Sequence, residues 1–286
     1  MDFAGILLGG LASGMVLFVV SVGLSVTLGL MGFVNLAHGG FAMLGGYALV
    51  LAMRHWNLPF PAALALAFAA VAALAALLEK TLYARLYRAS ELDQVLFSIG
   101  LVFVMIAAVT LAIGPESQAV VLPEWLRGQT DLGFLSYRSY SLALIAFGTA
   151  LVLALWLGFE RTRIGARIRA AVDNRRMAES LGVDVGRLFT LAFALGSGLA
   201  AVGGALGAEI LGLDPQYPLR YLAYFLIVVA LGGLGRVSGV FFASLAIGVL
   251  DFVLKFNFPQ GGTMFIYALT LAFLLVRPQG MFGKRT

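Results

Sequence analysis

Nine apolar runs follow one another along the chain: Phe3 to Leu30, Phe33 to Met53, Pro59 to Leu78, Val95 to Ile113, Tyr140 to Phe159, Leu188 to Leu211, Tyr221 to Leu234, Val237 to Leu254, and Thr263 to Val276. A membrane-spanning helix needs about 20 apolar residues, so runs of this length predict an all-α, polytopic bundle of about 8 to 9 spans. A β-barrel span would show ~10-residue alternation of apolar and polar positions, and the unbroken stretch Ala62 to Leu78 excludes it. Two runs adjoin glycine breaks, at Phe33 and at Leu234, which predicts interrupted or re-entrant segments there. The whole of 1–286 reads as one transmembrane domain with one long polar loop, 160–187. The first run follows only Asp2, without the positive region of a cleaved signal.

Charge orients the spans. The loop from Glu160 to Arg187 carries seven arginines (161, 163, 167, 169, 175, 176 and 187) against Glu160, Asp173, Glu179 and Asp184. By the positive-inside rule it is cytoplasmic, together with the segment of Lys80, Arg85 and Arg88 and the tail of Arg277, Lys284 and Arg285. The loop Gly114 to Ser139 sets Glu116, Glu124 and Asp131 against Arg127 and Arg138 and suits the exterior. Counting outward predicts an external N-terminus and a cytoplasmic C-terminus.

Composition then removes chemistries. Of 286 residues 61% are hydrophobic and 12% charged, about half the charge of a soluble domain. With no cysteine there is no disulfide and no thiolate metal site. His38 and His55 are too few for a three-histidine metal centre. No G-x-x-x-x-G-K-[ST] occurs, so any ATP is hydrolysed by another subunit. The net charge of +5 reflects loop arginines beside apolar spans, an orientation signal rather than a nucleic-acid surface. No cofactor is expected.

Glycine numbers 35, much of it inside the runs. Gly196, Gly198, Gly203, Gly204 and Gly207 suit close helix packing. Two clusters differ: Gly29-Leu-Met-Gly32-Phe-Val-Asn35-Leu-Ala-His38-Gly39-Gly40, and Gly232-Gly233-Leu-Gly235-Arg236-Val-Ser238-Gly239. An offset of 200 pairs Gly32 with Gly232, Gly39 with Gly239 and Phe41 with Phe241. Paired glycine-interrupted segments point to a repeat and a solute pathway. Polar groups at membrane depth are costly, which makes Asn35 and His38 candidates for lining a gate or for capping a helix break. Glu209 reads either as a carboxylate at the outer mouth of a pathway or as the partner of an arginine from another chain. Asp251 reads as structural, tied to Lys255 four residues on, and Arg236 as snorkelling to the interface.

In the long loop, Ile164, Ile168, Ala171 and Val172 share one helical face, with arginines around the remainder. A second short helix, Met177 to Leu181, stops at Gly182, a natural C-cap. Such helices suit docking to a soluble partner or lying on anionic lipid.

The run Gly165-Ala-Arg-Ile-Arg169-Ala-Ala-Val-Asp173-Asn-Arg-Arg-Met-Ala178-Glu-Ser-Leu-Gly182-Val-Asp-Val-Gly186-Arg, continuing into Leu191 to Ala205, resembles the coupling loop and following span of the branched-chain amino-acid type permeases of bacterial ABC importers. Gly32 to Gly46 and Gly232 to Val240 are similar to that family's other two signatures, in the expected order. Length and the short N-terminus resemble the smaller of the family's two paired permeases. The resemblance implies an inner-membrane permease paired with a second, related permease, two cytoplasmic ATPase subunits and a periplasmic substrate-binding protein. It implies ATPase coupling through Arg169, Asp173, Ala178, Glu179, Leu181 and Gly182. Where the usual pattern is E-A-A-x-x-x-G this chain reads Ala178-Glu179-Ser180, so the order is not preserved. The candidate pathway set is Gly32, Asn35, His38, Gly39, Phe41, Glu209, Gly232 and Gly239. Phe41, Met43 and Asn35 together offer apolar lining and a polar group for an aliphatic amino acid. The expected solute is a branched-chain amino acid, with urea or short amides as the alternative within the family. A self-sufficient channel or secondary transporter is the competing class, but no Asp, Glu or Lys lies near a span midpoint to couple an ion. A membrane enzyme would need clustered acids or histidines at one interface, and none clusters.

Overall fold

The computed structural model describes residues 3–33, 35–87, 89–131, 133, 136–277 and 280–281, with backbone alone for 159, 160, 164, 172, 173 and 175. Each apolar run is a helix. In chain order they are α1 (Phe3–Met31), α2 (His38–Trp56), α3 (Phe60–Leu78) passing through a π-turn (Glu79–Tyr83) into α4 (Ala84–Leu86), α5 (Glu91–Ile113) and α6 (Ser139–Arg161). Two short helices follow, α7 (Arg163–Asp173) and α8 (Arg175–Ser180), then α9 (Val185–Leu211), α10 (Tyr217–Gly232), α11 (Val237–Asn257) and α12 (Gly262–Val276). Within the outer loop a two-stranded antiparallel hairpin pairs β1 (Gln129–Asp131) with β2 (Ser136–Arg138). Polar side chains cap the starts of α5, α7, α8 and α9. The Ser90 hydroxyl accepts from Asp93 N at 3.2 Å to open α5, and the Asp184 carboxylate accepts from Arg187 N at 3.0 Å to open α9.

Six of these helices are long and apolar enough to cross a bilayer. The other three runs are α2, which is interrupted at its start, and α10 and α12, of 16 and 15 residues. The expected 8 to 9 spans are thus six full-length helices and three short or interrupted ones.

Helices α1 and α9 form the centre, 61% and 72% buried over their most apolar stretches. Small residues bring them together, because a helix pair in lipid gains by packing rather than by escaping water. A Cβ on Gly23 of α1 would lie 2.2 Å from Gly196 O of α9, and α2 approaches α9 as closely, a Cβ on Gly204 lying 1.9 Å from Ala42 O. Helix α11 runs antiparallel along α1, with Gly10 against Val249, Gly14 against Leu245 and Gly248 against Gly14.

Both predicted breaks are present. After Gly32 (φ +63°) the chain climbs back along α1, and His38 Nε2 meets Val20 O at 2.9 Å. Val20 lies eleven residues before the end of α1, so α2 starts roughly 16 Å above that end, at mid-depth. The second break bends through Gly233 (φ +87°) and Gly235 (φ +69°). It docks on α1, where Gly235 N reaches Ser25 O and Oγ, both at 3.1 Å, and Gly29 has no side chain to obstruct it. The offset of 200 therefore pairs like with like in chain path, a helix ending at glycine and restarting. The surroundings differ: Gly239 packs on Gly232, Gly39 on Pro218, Phe41 on Phe193 and Phe241 on Phe18.

Candidate functional site

The two short helices of the long loop are capped at every junction. The Thr162 hydroxyl accepts from Gly165 N at 3.1 Å to start α7, and Asn174 Oδ1 accepts from Met177 N at 3.0 Å to start α8. At the end of α8, Gly182 takes φ +80°, its N–H donates to Glu179 O and Val183 N–H donates to Ala178 O, both at 3.0 Å. This is the double bond of a Schellman cap, which only a residue free of Cβ enters without strain.

One face of this unit is embedded. Ala171, Ala178 and Val185, with Ile168 and Val183, pack on Leu30 and Met31 of α1 and on Leu188, Phe189 and Ala192 of α9. The other face is open, with Met177 58% and Leu181 76% exposed. Arg169, Glu179 and Gly182 are exposed as well. Of the residues expected to meet ATPases, Ala178 is 2% exposed and points inward, because the bend at Asn174 turns it onto α1 and α9. Its neighbour Met177, which sequence reasoning passed over, takes the outward place. The side chain of Asp173 lies outside the described ones.

The first signature is buried. Asn35 is 2% exposed, and its Oδ1 accepts from Ala37 N at 3.0 Å and from the Tyr83 hydroxyl at 2.9 Å. His38 is 1% exposed. Its partner Val20 O only accepts, so Nε2 carries the proton. Asn35 Nδ2 and His38 Nδ1 have no partner among the described residues. Phe41 packs edge-on against Phe193 at 5.8 Å, while a Cβ on Gly39 would lie 3.1 Å from Pro218 O. A Cβ on Gly239 would lie 1.9 Å from Gly232 O. In this arrangement Asn35, His38, Gly39, Phe41, Gly232 and Gly239 are buried within the chain. Their common work is to hold the two breaks, and Gly32 supplies the turn that starts the first.

Space of ligand size lies elsewhere. A cavity of about 360 Å³ between α1, α6, α7 and α9 is lined by apolar residues including Val26, Leu155, Ile168, Leu191 and Leu199. Glu209 pairs with Arg138 of the same chain at 3.0 Å, the side chains 26% and 58% exposed, which replaces the arginine of another chain considered from sequence. Asp251 is tied to Lys255 at 2.9 Å and accepts from the Tyr224 hydroxyl at 2.8 Å, the structural role read from its spacing.

Sequence reasoning missed Glu79. It closes the third apolar run beside Lys80 and reads as an interfacial charge, yet it is 2% exposed. Its Oε2 accepts from the Thr190 hydroxyl at 2.6 Å and its Oε1 accepts from the Tyr87 hydroxyl. Tyr83 and Tyr87 stand four and eight residues further on, and with Phe33, Phe189 and Phe193 they make an aromatic cluster between α9 and the first break. Glu, Tyr and Tyr at helical spacing was the available signal.

Comparison with known proteins places these features in a family. The family described as branched-chain amino acid transport system / permease component matches residues 6–275. The high-affinity branched-chain amino acid transport system permease protein LivH of Escherichia coli K12 is 26% identical over 291 residues, covering 96% of this chain and 94% of LivH. The corresponding permease protein LivM of the same organism is 25% identical, covering 93% of this chain and 68% of LivM. Among solved structures, a chain of "PsaBC from Streptococcus pneumoniae in complex with Fab" shares the fold, with a TM-score of 0.53 at 13% identity over 94% of this chain and 89% of that one. With helices that cross a membrane, two glycine breaks docked on α1 and a family match over nearly the full chain, this protein belongs to the branched-chain amino acid transport system permease family.

Proposed function

We propose that this chain is the smaller of two paired permeases in an ATP-driven importer of branched-chain amino acids. The observation that carries this reading is the alignment with LivH over 94% of that protein, against 68% of LivM. That both proteins exist in one organism as permeases of such a system supports a second, related permease as partner. Two cytoplasmic ATPase subunits and a periplasmic substrate-binding protein complete the proposed assembly, in a bacterial inner membrane. The ATPases hydrolyse ATP; this chain does no bond chemistry.

The exposed face of α7 and α8, with Met177, Leu181 and Glu179, is the proposed ATPase contact. A rigid, capped pair of helices suits that task, since a frayed loop would absorb the motion instead of passing it on. Closure of the ATPase dimer displaces this pair, its buried face moves the C-terminal end of α1 and the start of α9, and the glycine breaks act as hinges for alternating access. The arginine-rich end is then cytoplasmic. Helix α1 reaches the coupling helices at Leu30, so its N-terminus is external, and Met281 N bonded to Leu231 O at 2.7 Å puts the last described residues near the break that docks on α1. The solute route runs where this chain meets its partner, with Asn35 and His38 shaping the helix break behind it.

The test is purification from native membranes in mild detergent, followed by reconstitution with radiolabelled leucine. Recovery with two ATPases and a second permease, and leucine uptake that requires ATP and the binding protein, is the expected result. A chain recovered alone that passes leucine without ATP is a channel, and the importer reading fails.

A further inference from the structure

We propose that Glu79 is a positioning residue for energy coupling: its carboxylate clasps the root of α9 to the π-turn, so that displacement of α7 and α8 is delivered to the α1–α2 break. The inference rests on the transport reading above and adds to it a residue that no motif of the sequence singles out.

Three observations carry it. The first is cost. A carboxylate at the end of an apolar span, 2% exposed, is expensive compared with a leucine at the same place, and such groups mark function more often than stability. The second is reach. Thr190, which donates to Glu79 Oε2 at 2.6 Å, is 111 residues away and stands in the second turn of α9, just past the helix start that α8 packs against. Next to it, Phe189 belongs to the apolar cluster that holds Ala171 and Ala178, and it stacks edge-on against Tyr87 at 5.4 Å. Tyr87 in turn donates to Glu79 Oε1. The third is the element itself. Glu79 and Tyr83 are the first and last residues of one π-turn, and the Tyr83 hydroxyl donates to Asn35 Oδ1 at 2.9 Å. One end of the turn is thus fixed to the root of α9 and the other to the first break. A π-turn is a rare, single-turn departure from the α-helix that recurs at functional sites, and here it is the piece through which the two are joined.

A chain of contacts becomes a coupling route only when breaking it changes coupling and not merely folding. The experiment therefore uses the full complex in proteoliposomes, with binding protein and leucine, and reads leucine imported per ATP hydrolysed beside the yield of assembled complex. Glu79→Ala and Thr190→Val assemble and hydrolyse ATP, but import per ATP falls about tenfold, the size of an ordinary coupling energy. Glu79→Gln retains most of the ratio. Its amide oxygen accepts from Tyr87, and its amide N–H donates to the Thr190 oxygen, whose own proton turns to Gly186 O, already 3.3 Å away. An unchanged ratio in Glu79→Ala, or a fall in Glu79→Gln as deep as in Glu79→Ala, overturns the clasp. Should Glu79→Ala not assemble, Thr190→Val decides alone, and an unchanged ratio there overturns it equally. A wild-type complex that does not couple ATP to leucine import overturns the transport reading and this inference together.

Discussion

At the scale of single residues, identical substitutions have opposite consequences depending on what stands opposite. Gly239→Ala forces a methyl group to within 1.9 Å of Gly232 O, a backbone atom that cannot swing away, and overpacking of that kind costs about 1–3 kcal/mol. Gly100, inside α5 with nothing within 4 Å of a built Cβ, gains helix propensity of up to about 1 kcal/mol on the same change. Thermal denaturation of the purified chain in detergent should show the midpoint falling for Gly239→Ala and holding or rising for Gly100→Ala. Glu209 offers a second contrast. Paired with Arg138 at an exposed site, it contributes about 0–1 kcal/mol, so Glu209→Gln leaves stability and leucine uptake nearly unaltered. A carboxylate that bound the substrate ammonium would instead raise the apparent Michaelis constant by an order of magnitude or so, as loss of a charged hydrogen bond does. Uptake kinetics separate the two.

At the scale of elements, α7 and α8 illustrate how much of a functional surface is written locally. The cap at Gly182 is legible from residue type and spacing alone, since capping is chemistry between residues a few positions apart, and the structure adds caps at Thr162 and Asn174. Two variants test the unit. Asn174→Ala removes the side-chain acceptor for Met177 N, costs α8 about 1 kcal/mol and should loosen the ATPases in co-purification. Glu179→Arg leaves both caps intact and reverses one exposed charge, so ATP-driven uptake is lost while the chain remains folded. Unchanged uptake in Glu179→Arg would take α8 out of the contact. Which face of the unit looks inward was not legible. From sequence the apolar face of α7 reads as docking to a soluble partner or as lying on anionic lipid, and the fold instead packs Ile168 and Ala171 of that face, with Ala178 of α8, against α1 and α9.

At the scale of the whole molecule, the testable statement is the sidedness of its two ends. The chain contains no cysteine, so a single introduced thiol reports without background. Leu181 and Val121 are 76% and 64% exposed at the long loop and the opposite loop. In sealed inside-out vesicles an impermeant maleimide should label Leu181→Cys and spare Val121→Cys, with the reverse in spheroplasts. Labelling of both from one side would overturn the proposed topology.

What the sequence by itself determined is whatever depends on transfer into the bilayer or on near neighbours: the membrane class, nine helices from nine apolar runs, both glycine breaks, the Gly182 cap, the Asp251–Lys255 pair and the family signatures. What only the tertiary structure decided is which side of each helix meets protein. In water, polarity marks the outer face of a helix; in lipid, both faces are apolar, so periodicity no longer tells a buried seam from a lipid-facing one. For that reason Asn35 and His38 are legible as costly polar groups but not as groups closed inside the subunit, Ala178, which the resemblance implies among the ATPase contacts, faces in, and Glu209, read as a pathway carboxylate or the partner of another chain's arginine, pairs within its own chain. Glu79 shows the same limit most plainly. Its partner Thr190 is 111 residues distant, and only the packing of α3 on α9 turns a charge at the end of a span into a buried hydrogen-bonded clasp.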